Sequence, residues 1–376
     1  MNPSIKIQSS VKGVYNFNLS GVNVSLANSI RRTILSDIPI VVFKTTPYEE
    51  NKANIIANTS RLNNEIIKQR LSCVPIHIVD VEKFPIKNYV LEVNVENLTD
   101  SILYVTTKDF KIRDLSTGNF LEESKTREIF PPNEDTGYFI DFVRLRPKIS
   151  DEIPGEKLIL TCELSIGTAK EDGMFNVVST CSYGFAIDED KQETELAKKI
   201  QAWRNEGKKP EEIDYEAKNW KLLEGLRITK KDSFDFIIQS IGIYDNLYIV
   251  IQACFILQNK LNLLRKQIMT DKIKIEKSQN TLKNCFDIIL ENEDYTIGKV
   301  LEYLFYSKYF ENTETKILTF CGFKKIHPHD SDSIIRVAYV DLIDKNIVKN
   351  HLVDCVDEAT QIYEKIKKLL ITRRRS

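Results

Sequence analysis

Apolar positions near the start of the chain recur at helical spacing. The residues that share this spacing are Leu26, Ala27, Ile30 and Ile34. The spacing predicts an amphipathic helix. Asn23 or Ser25 can cap its start, because both side chains can accept a hydrogen bond from a free backbone N–H. Pro39 disfavours helical geometry at the residue before it, so we expect the helix to end near Asp37.

Between about residues 44 and 176 the pattern changes to short alternating runs of apolar and polar positions. The runs with strand character are residues 89–95, 101–107, 138–143 and 157–164. Prolines and glycines separate these runs, which suits turns and sheet edges. We therefore expect a β-rich domain at residues 44–175.

Two later patterns predict long helices. A strand-like run at residues 232–243 leads into a helical pattern at residues 244–268, and a second helical pattern closes the chain. The closing pattern has steps of three and four residues through Val353, Val356, Ala359, Tyr363, Ile366 and Leu370. Each helix therefore has one continuous apolar stripe that another element must cover.

The order strand, helix, strand pair, long helix occurs twice. It is formed first by residues 1–43 with 176–270, and again by residues 280–376, with a polar linker expected at 271–279. Two units that each leave a long apolar helix face can cover both faces by packing on each other. We therefore expect an α+β fold with two similar dimerisation modules paired within one chain, the first interrupted by the β-rich insert.

The apolar stripes supply the expected interface between the modules. From the first module we expect Leu247, Ile251, Phe255 and Leu261, and from the second Ile297, Leu301, Leu304, Val356, Tyr363 and Ile366.

Composition narrows the possible functions. The 53 basic and 54 acidic residues give a net charge of −1, which argues against a nucleic-acid coat or a polybasic membrane binder. The 7 cysteines include no Cys-x-x-Cys pair, so we expect buried thiols in a reducing compartment. The start, MNPSIKIQSS, has no apolar run, and no stretch reaches about eighteen apolar residues. We therefore expect an intracellular protein without a signal peptide or a membrane span.

The sequence contains no motif of a known catalytic site. There is no phosphate-binding glycine loop, no Gly-x-Ser-x-Gly and no His-Glu-x-x-His. Asp188-Glu-Asp190 is the nearest match to an acidic magnesium loop, but it opens a run of mixed charge at residues 188–218. That run predicts either a solvated helical excursion or a docking surface. His327-Pro-His329 could be a metal corner, although proline between two histidines more often marks a turn.

The first helix carries a motif that resembles a known family. The run from Asn23 to Arg32 (NVSLANSIRR), followed by Asp37 to Pro39, resembles the signature of the bacterial RNA polymerase alpha subunit. Its archaeal and eukaryotic counterpart is the third-largest subunit of RNA polymerase II. Residues 61–75 resemble the segment that follows in this family, and residues 104–109 resemble a strand of its insert. Lys170-Glu171 open a loop similar to the family's Lys-Glu-His-Ala-Lys-Trp loop, matching its first two residues.

The second module resembles the eleventh, small alpha-like subunit. Residues 293–298 (EDYTIG) and 321–328 (CGFKKIHP) are similar to its Glu-Asp-His-Thr-Leu-Gly and Gly-Tyr…His-Pro patterns. Lys299, Glu302 and Tyr303 stand where the family's helix tends to have Asn and Arg. This departure argues against a second contact with a large subunit through that helix.

The resemblance implies a subunit that catalyses nothing and needs no cofactor or metal. It would be an assembly platform for the two largest polymerase subunits, with a small subunit bound near them. It would contact DNA only indirectly, through the complex, and would not bind a membrane. Carried onto this chain, the large-subunit contact is expected at Asn28, Arg31, Arg32, Lys170 and Glu171. Arginine suits such a contact, because its planar guanidinium can hold a carboxylate or several carbonyls.

Two further expectations concern the origin of the protein and an alternative function. A fusion of two alpha-like subunits is an arrangement that the family shows in large cytoplasmic DNA viruses. A viral origin would place the protein in the host cytoplasm and the virion, and a cellular origin in the nucleus. The alternative function is a free-standing nucleic-acid or regulator-binding protein that uses its basic tail, residues 365–376.

Overall fold

The structure is a computed structural model that describes residues 1–11, 13–150, 152–279 and 281–374. Residues 373 and 374 are described by their backbone alone. The strands are β1 (Ser4–Val11), β2 (Val14–Ser20), β3 (Ile40–Val42), β4 (Ala53–Asn58), β5 (Tyr89–Glu96), β6 (Leu103–Thr106), β7 (Lys111–Asp114), β8 (Asp141–Leu145), β9 (Lys157–Glu163), β10 (Ser165–Gly167), β11 (Val178–Ile187), β12 (Thr229–Ser240), β13 (Lys274–Lys277), β14 (Cys285–Leu290), β15 (Leu318–Lys324) and β16 (Ser333–Tyr339). The helices are α1 (Val24–Ser36), α2 (Asn64–Ser72), α3 (Glu123–Ile129), α4 (Glu189–Asn205), α5 (Pro210–Leu222), α6 (Asn246–Met269), α7 (Tyr295–Tyr306) and α8 (Lys345–Arg374).

The chain forms two compact units. The first unit comprises Met1–Ile34, Thr180–Gln239 and Asn246–Ser376, and the second comprises Leu35–Ser179 and Ser240–Asp245. The second unit therefore extends beyond the expected insert at both ends and gains a short segment after β12. The mixture of helices and sheets confirms the α+β class.

The two sheets of the first unit have the same strand order. One sheet runs β1-β2-β12-β11 and the other runs β13-β14-β16-β15. In each case a helix, α1 or α7, follows the second strand, and a long helix, α6 or α8, follows the fourth strand in chain order. The first unit is thus built from two modules of one topology, which we call the first module and the second module.

Local sequence explains how the first module forms. Tyr15, Phe17 and Leu19 alternate with polar residues along β2, so they point inward, and the Phe17 ring stacks on Phe236 at 5.0 Å between centroids. The predicted helix at the next segment is confirmed as α1. Its start is capped by Asn23, whose Oδ1 accepts a hydrogen bond from the Ser25 N–H at 2.9 Å.

Antiparallel packing of α6 on α8 joins the two modules. Arg265 lies beside Asp357, with Nε and Oδ1 2.7 Å apart, and Gln258 lies beside Glu364, with Nε2 and Oε2 2.8 Å apart. The residues fully buried along the two helices include Ala253, Cys254, Leu257 and Leu261 from α6 and Val356, Ala359, Tyr363 and Leu370 from α8. By length and composition α6 could also cross a membrane, with a mean hydropathy of 1.4, but half of that stretch is buried inside the protein. Packing on α8 accounts for its apolar character.

The second unit is β-rich. Its main sheet has the order β4-β9-β5-β7, and two smaller sheets pair β3 with β10 and β6 with β8. The Phe110 ring meets Phe130 and Phe142 edge to face, each at 5.3 Å, in the centre of the core. The four strands predicted here are confirmed as β5, β6, β8 and β9, with β8 starting three residues later than the sequence pattern indicated.

The structure corrects the expected linker at 271–279. Residues 274–277 form β13, which pairs with β14 and so belongs to the second module's sheet. Ile275 is buried while its charged neighbours are exposed, which is the alternation of an edge strand. Because its neighbours in β13 are charged, the composition of this segment indicated a linker, although Ile275 faces inward.

The mixed-charge run forms a helical pair within the first unit. Asp188 caps α4, because its Oδ1 accepts a hydrogen bond from the Lys191 N–H at 3.4 Å. Only Leu196 of α4 and Trp220 of α5 are buried among the residues of these helices. The acidic triplet thus starts a surface helix.

Candidate functional site

Asn28 and Arg31 form a polar edge on α1 in the first unit. The Arg31 Nε donates to the Asn28 Oδ1 at 3.0 Å, and both side chains are half-buried. Arg31 also lies close enough to β11 for its charge to act on Cys181 and Tyr183. Burial raises the pKa of the Cys181 thiol to about 12, and the positive charge of Arg31 opposes that rise.

Arg32 is held inside the chain. Its Nε donates to the Thr296 Oγ1 at 2.9 Å, and its Nη2 donates to the Asp294 Oδ2 at 2.8 Å. Asp294 is also the cap of α7, because its Oδ1 accepts from the Thr296 N–H at 2.8 Å. Burial alone would raise the pKa of Asp294, but Thr296 and Arg32 lower it by more. Arg32 therefore ties α1 to the start of α7, and its expected contact with a large subunit stays a prediction.

A groove of about 420 Å³ lies between the first half of α1 and α7. It is lined by Asn23, Val24, Ser25, Asn28, Tyr183, Lys299, Glu302, Tyr303, Tyr306 and Cys321. Lys299 and Glu302 form an ion pair at 2.5 Å, and Glu302 also accepts from the Phe323 N–H at 2.9 Å. The α7 residues that depart from the family pattern thus form the wall opposite Asn28. Both walls belong to the first unit, one from each module.

One groove residue has an unused hydrogen-bonding group. The Ser25 Oγ is buried and has no hydrogen-bond partner among the residues that the structure describes. A buried hydroxyl without a partner costs free energy, so a polar group that enters the groove would be stabilised there. Burial also raises the pKa of Tyr303, helped by the acidic Asp232, Glu311 and Glu358. Its hydroxyl therefore remains protonated and can donate.

Lys170 and Glu171 lie in the second unit. The Lys170 backbone N–H donates to the Ser36 carbonyl at 2.8 Å. The Lys170 side chain is exposed. Glu171 forms an ion pair with Lys44 at 3.2 Å. Hydrogen bonds from Lys44 to Glu50 and Glu171 raise the pKa of the lysine.

The expected interface residues divide into two groups. Seven of them are at most 1% exposed: Leu261, Ile297, Leu301, Leu304, Val356, Tyr363 and Ile366. Leu247 and Ile251 are only half-buried, and Phe255 is 44% exposed, so Phe255 lies off the buried face. The two successive steps of four residues from Leu247 to Phe255 each advance about 40° beyond a full turn, which carries the stripe out to solvent. Counting at 3.6 residues per turn would have found Ala253, Cys254, Leu257 and Gln258 instead.

The other sequence candidates are structural. The His329 N–H donates to the His327 Nδ1 at 3.2 Å and the Asp330 N–H donates to the His327 carbonyl at 3.1 Å, so His327-Pro-His329 is a turn. Within the described residues, no three His, Cys, Asp or Glu side chains are grouped as metal ligands. The basic tail falls partly on residues 375 and 376, which lie outside the described residues.

Comparison with known proteins identifies the family. Residues 16–261 match the RNA polymerase Rpb3/Rpb11 dimerisation domain, which is well over half of the chain. The chain belongs to this family. The matched range begins in β2, includes α1 with its polar edge, and ends within α6. The second module, which repeats the strand order, follows the matched range.

Several curated relatives are named as polymerase subunits. The chain is 28% identical over 176 residues to the DNA-directed RNA polymerases I and III subunit rpac1 of Dictyostelium discoideum, covering 44% of this chain and 48% of that protein. It is 25% identical over 174 residues to the DNA-directed RNA polymerase subunit Rpo3 of Picrophilus torridus, covering 45% and 59%. It is 24% identical over 314 residues to the DNA-directed RNA polymerases IV and V subunit 3B of Arabidopsis thaliana, covering 70% and 90%. The chain thus spans about half the length of the first of these relatives. With the family match, these relatives show that the chain is alpha-like.

Proposed function

We propose that this chain is a non-catalytic assembly-platform subunit of a multisubunit DNA-directed RNA polymerase. The observation that carries the proposal is the pairing of two modules of one topology through α6 and α8. A dimerisation domain that already has its partner in the same chain needs no second alpha-like subunit. Its other surfaces then remain for the catalytic subunits.

The polar edge at Asn28 and Arg31 is the proposed contact with a large subunit. Arg31 uses its Nε within the chain, and its remaining N–H groups can hold a carboxylate or backbone carbonyls of a partner. The neighbouring groove offers Tyr303 and Ser25 as further polar contacts. The partners proposed are the two largest polymerase subunits and a small subunit beside them, with DNA reached only through the complex.

Co-purification from the native source tests this proposal. The tagged chain should bring down the two largest polymerase subunits, and Arg31→Ala should lower their yield while the variant remains folded. Lys199→Ala, which removes one positive charge at an exposed position of α4 in the same unit, is the matched control. A tagged chain without polymerase subunits, or an undiminished yield with Arg31→Ala, would contradict the proposal.

Cutting the chain tests the internal pairing separately. A split after Met269 keeps β13 with its own sheet and separates α6 from α8. Each half then exposes a long apolar helix face, so we expect the halves to aggregate alone and to associate when co-expressed. The intact chain should be a monomer by light scattering. Two soluble, monomeric halves that do not associate when co-expressed would show that the modules are not paired.

A further inference from the structure

Four arginines line a groove in the second unit. The groove has a volume of about 560 Å³ and lies along α2, β6 and β8. Its arginines are Arg61, Arg70, Arg144 and Arg146, and its exposed apolar side chains include Ile102 and Tyr104. A chain with a net charge of −1 thus concentrates positive charge at one place that the proposed function does not use.

Two of the arginines hold the groove in shape. The Arg70 Nε donates to the Phe142 carbonyl at 2.8 Å, and its Nη2 donates to the Asp141 carbonyl at 2.7 Å. The Arg146 Nε donates to the Glu156 Oε1 at 2.6 Å, and Glu156 is almost fully buried. The Arg70 contacts fix the start of β8 against α2, and the Arg146 contact holds the chain just after β8.

The other two arginines have no partner. Among the described residues, the guanidinium groups of Arg61 and Arg144 make no hydrogen bond or ion pair, and both residues are exposed. A turn presents Arg61, because the Asn58 Oδ1 accepts from the Ser60 N–H at 3.0 Å and the Asn58 Nδ2 donates to the Leu62 carbonyl at 2.8 Å. Arg144 lies opposite Tyr104 in the β6–β8 ladder. The backbone at both arginines is therefore ordered, while their guanidinium groups have no partner among the described residues.

An apolar surface adjoins the arginines. Ile102 and Tyr104 are 53% and 49% exposed. The buried Asn97 holds the loop before β6, because its Nδ2 donates to the carbonyls of Ser101 and Leu145, each at 2.9 Å. The same loop exposes 84% of Leu98. Large apolar side chains beside unpaired positive charge suit a partner that is both apolar and negatively charged.

We propose that this groove binds an acidic segment of a partner protein, with its carboxylates on Arg61 and Arg144 and an apolar side chain against Ile102 and Tyr104. Guanidinium groups bind carboxylates through paired hydrogen bonds, which are among the stronger polar contacts. Asp141 and the Glu156 partner of Arg146 offset half of the arginine charge, so the groove matches a short acidic stretch. A nucleic acid, in contrast, requires a row of cations that follows successive phosphates. The groove lies in the second unit, so its occupancy does not depend on the polar edge of α1.

Fluorescence anisotropy with the full chain tests this site. The probes are labelled synthetic peptides that combine aspartate with leucine or phenylalanine in different orders, each compared with a copy that has asparagine in place of aspartate. An oligothymidine of similar length is the third probe. We expect some aspartate peptides to bind and their asparagine copies to bind at least about tenfold more weakly. We expect the oligothymidine not to contact Arg61 and Arg144, so it should not compete with the peptides.

Matched charge reversals assign the binding to the groove. Arg61→Glu with Arg144→Glu should weaken the best peptide at least about tenfold, because two charge-assisted contacts become repulsions. Lys87→Glu with Lys125→Glu changes the net charge equally at exposed positions of the same unit that do not line the groove, and should leave the affinity unchanged. Ile102→Ser should weaken the aspartate peptides but not their salt dependence. Equal loss in both double variants, binding of no aspartate peptide, or competition by the oligothymidine for these arginines would overturn the proposal.

Discussion

Ser29 and Tyr363 share a buried hydrogen bond, with Oγ and OH 2.6 Å apart, across 334 residues of sequence. The Ser29 hydroxyl donates to the Leu26 carbonyl at 2.6 Å, so the Tyr363 hydroxyl is the donor between them. Burial raises the pKa of Tyr363, which keeps this proton in place. The bond links α1 of the first module directly to the closing helix of the second.

Removing either hydroxyl should destabilise the first unit by different amounts. We expect Tyr363→Phe to lower the free energy of unfolding by about 1 kcal/mol, because Ser29 keeps its bond to Leu26. Ser29→Ala should cost roughly 1–3 kcal/mol, because it leaves the tyrosine hydroxyl buried without a partner. Urea denaturation measures both, and Tyr215→Phe, at a position 70% exposed, is the control. Equal losses in Ser29→Ala and Tyr215→Phe would contradict the assignment.

Truncations on α6 should separate its buried face from its exposed face. Leu257 is fully buried and Phe255 is 44% exposed. We expect Leu257→Ala to lower the free energy of unfolding by about 2–5 kcal/mol through loss of packing and creation of a cavity. Phe255→Ala, the larger deletion, should cost less than about 1 kcal/mol. A larger loss in Phe255→Ala would place the interface on the other face.

Local pattern predicts the elements of this fold better than their partners. The spacing of Leu26, Ile30 and Ile34 and the cap at Asn23 are local signals, and they predicted α1 nearly to its ends. The hydrogen bonds of Arg32 are different, because Asp294 is 262 residues away and no local signal joins them. A polar edge therefore indicates that a contact exists, but not whether the contact is within the chain.

The arginine groove shows the same limit. Arg61 and Arg70 are close in sequence, but a long stretch separates them from Arg144 and Arg146, and the packing of α2 beside β8 brings the two pairs together. The sequence showed one charged run, residues 188–218, because those charges are contiguous. Composition does not show positive charge that only the fold brings together. Here the four arginines form a positive groove on a chain with a net charge of −1.

Thiol reactivity should single out one cysteine. Cys73 is exposed, although partial burial and Asp172 raise the pKa of its thiol; Cys162, Cys254 and Cys321 are more buried, and burial raises their pKa values to about 12. Only a thiolate reacts rapidly, so we expect one fast equivalent with a disulfide reagent in the native protein. Cys73→Ser should abolish that equivalent, and denaturant should release the others. Fast reaction that persists in Cys73→Ser would contradict the burial pattern.

Gly298 should not tolerate alanine, although it lies within a helix. A Cβ at this position would lie 2.0 Å from the Phe323 Cε2, closer than two atoms can approach. Alanine gains about 1 kcal/mol in helix propensity, but displacing the ring costs roughly 1–3 kcal/mol, so we expect a net loss. In the Phe323→Ala background, Gly298→Ala should instead be neutral or stabilising. Thermal unfolding of the wild type, the two single variants and the double variant measures this, and the same loss in both backgrounds would exclude the clash.

The Arg32–Asp294 pair should make stability depend on pH in the acid range. The folded pKa of Asp294 lies below its ordinary value, so the pair stabilises the protein fully above about pH 4 and loses that contribution as pH falls through the folded pKa. The size should be roughly 0.5–1 kcal/mol, because the two side chains are 33% and 35% exposed and solvent screens them.

Asparagine at position 294 isolates this charge. Asp294→Asn keeps a good helix cap but removes the carboxylate, so the difference in unfolding free energy from the wild type should be constant near neutral pH and vanish in acid. Arg32→Ala should remove the same pH-dependent part, and the double variant should show coupling of the two changes. The exposed Asp341→Asn is the control for charge alone. A difference that persists unchanged at acid pH would contradict a stabilising role for the carboxylate charge in the Arg32–Asp294 pair.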